Sequence, residues 1–140
     1  MDRRPRVLVF EFVTGGGWPP GPLPIGLAAE GRAMLEAVLA DFHAWGAVRT
    51  VTTHDRRLTR RPLGADVVVD VAPSDYEAVL TDLLGTCEAA LVIAPEVDGV
   101  LARLSTLVET ARVFLLGSRP MAVAVATDKW VCYEHFRANG

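Results

Sequence analysis

The chain has 140 residues, 51% of them hydrophobic and 22% charged, with a formal net charge of −3. That composition excludes disorder, gives no electrostatic reason to expect nucleic acid or an anionic membrane as partner, and suits one ordinary cytoplasmic domain. Glu11 interrupts the apolar run after the basic start and no small-residue cleavage site follows, so neither a signal peptide nor a membrane span is expected.

In chain order, Val7 to Phe10 read as a buried strand of a parallel sheet that runs into the glycines Gly15, Gly16 and Gly17. Glycines remove every Cβ that would hold a ligand away from the main-chain N–H groups. A ligand-contacting loop at the carboxyl end of the strand is therefore expected. The segment Trp18 to Pro24 is rich in proline and reads as a long mobile loop. From Ile25, the apolar residues Leu27, Met34, Leu35, Val38, Leu39, Phe42 and Trp45 recur at helical spacing up to Gly46.

A second strand is expected over Val48–Thr53 and a third over Asp66–Val71, with an arginine-rich solvated turn, His54 to Pro62, between them. Ser74 or Asp75 is placed to cap a helix through Leu84, stopped by Gly85, and Ala89–Ala94 reads as a fourth strand. A helix over Val97–Ala111, a short fifth strand over Val113–Leu116 and helical segments over Met121–Ala126 and Asp128–Ala138 complete the chain. Strands alternating with helices predict an α/β fold with a mostly parallel sheet covered by helices on its faces.

Cys87 and Cys132 are far apart and the three histidines are scattered, so reduced buried thiols and no metal site are expected. The glycine loop matches neither a dinucleotide fingerprint, because Pro20 stands at the third glycine, nor a P-loop, because Pro22 and Leu23 replace the Lys and Ser/Thr. Glu11 in an apolar strand needs a partner or a wet end; with Thr14 it either faces a substrate or is simply exposed at the strand edge. Glu96 and Asp98, after the fourth strand, either cap the next helix or bind an amine or cation. Ser118 is either a helix N-cap or part of the same ligand-binding edge.

Five segments in order, Phe10–Gly17, Glu30–Leu35, Ala94–Gly99, Leu116–Ser118 and Thr127–Lys129, together resemble the N-terminal part of ATP-grasp ligases, in particular the tyramine–glutamate ligase group. The resemblance implies a Rossmann-like, three-layer αβα preATP-grasp domain with a five-stranded sheet. It also implies that the chain is one domain, residues 1–140, separated from the two ATP-grasp lobes that hold ATP and magnesium in the full-length enzyme. On that basis the chemistry is ATP-dependent amide formation from a carboxylate and an amine through an acyl phosphate, with the isolated chain inactive and binding no ATP or magnesium itself.

By the same resemblance Glu11, Thr14, Gly15, Gly16 and Gly17 match a substrate-facing loop, Glu96 and Asp98 a second wall, and Lys129 a lysine reaching toward the ATP phosphates. The other reading of Lys129 is an exposed first-turn helix residue. The rival reading of the whole chain is a Rossmann-like binding or interaction module without catalysis. Either way Trp130, Val131, Tyr133 and Phe136 are expected to leave an apolar patch through which the chain forms a homodimer.

Overall fold

A computed structural model describes residues 2–140, and its organisation follows from a central strand buried on both faces. In that strand, β1 (Arg6–Glu11), every residue from Val7 onward is buried. A strand covered on both sides reads as a continuous apolar run instead of an alternating one. Its neighbours are β2 (Arg49–Asp55) and β4 (Ala89–Ile93), with β3 (Val67–Val71) and β5 (Phe114–Leu115) at the edges. The order is β3-β2-β1-β4-β5 and every pairing is parallel, with Leu8 opposite Val51 on one side and Ala90 on the other.

Alternation along β1 divides the core. Val7 and Val9 meet Leu35 and Leu39 of α1 (Ile25–Trp45) on one face. On the other, Leu8 and Phe10 meet Leu80 and Leu84 of α2 (Tyr76–Leu84) and Leu104 and Val108 of α3 (Val100–Thr110). The chain then adds α4 (Pro120–Thr127) against α3, and α5 (Lys129–Asn139) against α4. No helix among the described residues is long and apolar enough to cross a membrane.

The roll of α1 differs from expectation. Its buried stripe is Ala28, Gly31, Leu35 and Leu39, whereas Leu27, Met34 and Trp45 are exposed. At about 100° per residue, the last three lie roughly a quarter turn from that stripe. The cause is Glu11, which by alternation points to the α1 face and places its carboxylate against Gly31: a Cβ built on Gly31 would stand 2.5 Å from Oε2. As expected, Gly46 ends the helix in the left-handed conformation (φ 71°), its N–H donating to Phe42 O at 3.0 Å.

Other boundaries shift for local reasons. Neither Ser74 nor Asp75 caps α2 through a side chain; the chain enters by a 3-10 turn over Pro73–Asp75, and the Ser74 hydroxyl donates to Asp75 Oδ1 at 2.9 Å. The third helix starts at Val100 instead of Val97 because Asp98 (φ 53°) and Gly99 (φ 67°) are both left-handed. The fifth strand shrinks to two residues. Of the two thiols, Cys87 is buried, which raises its pKa, but Cys132 is only half-buried.

Gly31 and Gly26 provide a matched pair within one helix, since nothing lies within 4 Å of a Cβ added at Gly26. Gly26→Ala is expected to stabilise the protein by up to about 1 kcal/mol through helix propensity. Gly31→Ala is expected to destabilise it by about 1–3 kcal/mol through overpacking against Glu11. Urea denaturation of both variants checks the opposite signs.

Candidate functional site

In open parallel sheets the ligand crevice lies outside the carboxyl ends of the strands, where the strand order reverses. Here that point falls between β1 and β4, which are adjacent in the sheet although far apart in sequence. Phe12 N donates to Ile93 O at 2.9 Å, so the glycine turn after β1 and the acidic turn after β4 leave the sheet side by side.

The two turns are built differently. Glu11 is only 2% exposed. Its Oε1 accepts from Val13 N at 3.1 Å, and Oε2 accepts from Thr14 N at 2.7 Å and Thr14 Oγ1 at 2.6 Å. The carboxylate thus folds the chain back on itself, and of the two readings of Glu11 the edge-exposed one is overturned, because the strand end lies beneath α1.

Gly15, Gly16 and Gly17 are buried as well. Gly15 N donates to Glu11 O at 2.8 Å, and Gly17 N to Phe12 O at 2.9 Å. A Cβ on Gly15 would stand 2.4 Å from Glu11 O, and one on Gly17 would stand 2.3 Å from the Phe12 ring. At Gly16, φ is +98° and the neighbours are Val71 and Tyr76. The glycines make room for protein, and two of the N–H groups expected to meet a ligand are already donated to the main chain.

The β1 turn is also tied to β2. Asp55 N donates to Thr14 O at 2.7 Å, and Thr53 Oγ1 to Gly15 O at 2.8 Å. The Asp55 side chain is fully buried and takes a bidentate pair from Arg57, with Nη2 to Oδ2 at 2.6 Å and Nε to Oδ1 at 3.0 Å. The rest of the guanidinium reaches the proline-rich loop: Nη1 donates to Pro19 O (2.8 Å) and Gly21 O (2.7 Å), and Nη2 to Trp18 O (2.9 Å). His54 is buried, with Nε2 3.1 Å from Leu58 O. Arg56, Arg60 and Arg61 are exposed, as a solvated turn requires, but Arg57 is a clamp that holds the proline-rich loop.

Beyond β4 the edge opens. A cavity of about 160 Å³ lies between the ends of β4 and β5 and the helices α3 and α4, with Glu96 and Ser118 both on its wall. Both are exposed. Neither acid caps α3, whose N-cap Gly99 has no side-chain hydrogen bond, and Ser118 does not cap α4, whose N-cap is Arg119. The capping readings therefore lapse for Glu96, Asp98 and Ser118. The structure unites Glu96 with Ser118 but leaves Asp98 exposed on the neighbouring turn and outside the cavity wall.

Lys129 is exposed in the first turn of α5 and does not line that cavity. The N-terminus of α5 is filled by Asp128, whose Oδ1 accepts from Trp130 N at 2.9 Å and Val131 N at 3.0 Å. Among the described residues no three acidic, histidine or cysteine side chains gather as metal ligands. The glycine turn is packed from within, so the N–H groups of Gly15 and Gly17 are not free to cradle a phosphate.

Ser105 was missed in the sequence. It is 2% exposed and lines the cavity beside Leu101 and Val123. The available signal was a lone hydroxyl on the inner stripe of α3, among Leu101, Leu104 and Val108.

Comparison with known proteins adds the relationship. Residues 48–123, more than half of the chain, match the model of the pre ATP-grasp 3 domain. The chain belongs to that family. The match to the pre ATP-grasp 3 domain runs from the start of β2 into α4 and so contains Glu96, Ser105 and Ser118.

The chain is also 28% identical over 130 residues to a tyramine–L-glutamate ligase of Methanocaldococcus fervens, covering 91% of this chain and 43% of that protein. A solved structure, a candidate ATP-grasp superfamily protein from Archaeoglobus fulgidus, superposes with a TM-score of 0.67 at 26% identity, covering 95% of this chain and 39% of that one. The chain thus spans less than half the length of the relatives it matches, and the resemblance read from the five segments holds at the level of the domain family.

Removing Arg57 leaves the Asp55 carboxylate buried and uncompensated. Arg57→Ala is expected to cost about 3 kcal/mol, and Arg57→Lys somewhat less because a lysine keeps the charge but cannot form the fork. Adding Asp55→Asn to Arg57→Ala should recover part of the loss. Equilibrium denaturation of the single and double variants measures each change.

Proposed function

We propose that this pre ATP-grasp 3 domain is the substrate-binding N-terminal part of an ATP-dependent carboxylate–amine ligase and is not catalytic by itself. The observation that carries the reading is the pairing of Glu96 with Ser118 on one cavity wall at the carboxyl edge, in a chain of this family. A carboxylate at an open cavity holds an amine as its ammonium form, and a neighbouring hydroxyl orients it. Asp98, exposed on the adjoining turn, adds negative charge to the approach.

Glu11, Thr14 and Gly15 to Gly17 contribute from behind, fixing the backbone that forms the other side of the crevice. Lys129 is assigned to contact the nucleotide phosphates from its exposed position at the head of α5. ATP and magnesium belong to the remainder of the full-length enzyme. The reaction class is amide formation, in which the acid becomes an acyl phosphate and the amine displaces phosphate.

A second reading, an interaction module that pairs with itself or another protein, is favoured by the exposed Trp130, Val131, Tyr133 and Phe136 on α5. Light scattering tests the self-association itself: a monomer at high concentration removes it.

The test of the ligase reading uses the full-length reading frame, with tyramine and L-glutamate as the first amine and acid. ADP release should require both substrates. Glu96→Gln should raise KM for the amine about 5-fold or more, as expected for loss of one solvent-facing charge contact, with a smaller change in kcat. Lys129→Ala should instead raise KM for ATP. ADP release that is indifferent to every acid and amine offered would remove the ligase claim.

A further inference from the structure

The two faces of the sheet are covered unequally. On the face of Leu8 and Phe10 the core includes both α2 and α3, whereas on the face of Val7 and Val9 it includes α1 and no other helix. Toward β3 that face is closed by the preceding loop: Ala65 joins the core, and a Cβ on Gly64 would stand 3.4 Å from Leu39 Cβ. Toward β5 it is open. Leu91 and Leu116 are only half-buried there, and Phe114, in register with Ala89 and so on the same face, is 70% exposed. Parallel sheets are normally covered on both faces. Strands lie about 4.8 Å apart and packed helices about 8–10 Å apart. With α1 over β1, a second helix beside it would therefore lie over β5, two strands away.

Charged residues occupy little of the surface of α1. At about 100° per residue, the exposed Ala29, Ala33, Ala37, Ala40 and Ala44 stand opposite the buried stripe, and Leu27, Met34, Val38 and Trp45 form the side turned to β4. On that side Trp45 is 66% exposed and shares a groove with Leu91. Arg32, Glu36 and His43 gather on the fourth side, and Glu30 and Asp41 lie between the alanines and the apolar side. A helix that is apolar nearly all round is a buried helix. Asp41 has no ion-pair partner among the described residues, and neither has Arg112, which is exposed and lines a groove with Phe114.

We infer that a second copy of this chain covers this face, its α1 lying beside the first α1 and over β4 and β5. The two copies are related by a two-fold axis parallel to these helices. Each α1 then rests its buried stripe on its own sheet, its apolar side on the other α1, and its alanines on the partner sheet, where short side chains fit over Leu91 and Phe114. The side carrying Arg32, Glu36 and His43 stays in water. Rotation about that axis preserves height along the strands. Gly31 meets Glu11 at the carboxyl end of β1, so Asp41, ten residues further along a helix that runs back, is at the amino end, as is Arg112 just before β5. Asp41 of one copy therefore meets Arg112 of the other. Both copies use the same patch, so the assembly closes at two. It involves neither α5 nor the cavity beside α4, and it does not depend on the ligase reading.

Sedimentation velocity of this chain over a concentration series is expected to show a monomer–dimer equilibrium and no larger species. Ala37→Arg, which puts a charge in the middle of the alanine side, should leave a folded monomer, whereas Phe136→Ser on α5 should leave the dimer unchanged. Asp41→Arg should weaken the dimer by up to about 5-fold for each exposed ion pair lost, and adding Arg112→Asp should restore it. With Cys132→Ser removing the competing thiol, Met34→Cys should form an intermolecular disulfide on mild oxidation, because parallel pairing sets identical positions of the two helices opposite each other. Arg32→Cys, on the wet side, should not.

A monomer at every concentration, a dimer that withstands Ala37→Arg or is lost with Phe136→Ser, or a Met34→Cys dimer that forms no disulfide would overturn the inference. The cross-link decides the matter even where Ala37→Arg fails to fold.

Discussion

One buried carboxylate organises the carboxyl edge of this sheet. Glu11 lies at the end of the central strand, on the face that α1 covers, and is withdrawn from water at a cost that only hydrogen bonds can offset. Two backbone N–H groups and the Thr14 hydroxyl supply them. To meet those donors the chain must turn back immediately after the strand, and that turn needs glycines where it presses on Glu11 O and the Phe12 ring. The same carboxylate excludes a side chain at position 31 and so sets the rotation of α1 over the sheet.

That constraint explains which parts of the fold were legible in the sequence. The strand β1 announces itself because burial on two faces demands an apolar run, the half-buried β4 is apolar throughout as well, and Gly46 marks a helix end by its own geometry. The facing of α1 was not legible. Leu27 and Met34 are as apolar as Leu35, and what decides between them is an acid 20 residues before Gly31, met only once the chain has folded. The start of α3 was hidden for another reason: nothing in the residue type of Asp98 requires a left-handed backbone.

The candidate site divides along the same line. The sequence points to the edge where loops after parallel strands converge, and Glu96 and Ser118 line one cavity there. It misjudges the glycine turn, since glycines that admit a ligand and glycines that admit a neighbouring phenyl ring are spelled alike. The result moves the open part of the crevice from β1 toward β4 and β5, where α4 leans on α3 and leaves the cavity between them. The closed half then serves as a fixed wall for the open half.

The Arg57 clamp contributes to the permanence of that wall. Exposed ion pairs weaken as dissolved salt screens them, over distances of about 8–10 Å at physiological strength, whereas enclosed pairs feel little of it. Asp55 is shut off from solvent, and the three carbonyls of Trp18, Pro19 and Gly21 carry no net charge to be screened. The contour of the proline-rich margin, held by an arginine whose partner carboxylate is enclosed, therefore responds less to the ionic composition around it than the exposed acid at the neighbouring mouth.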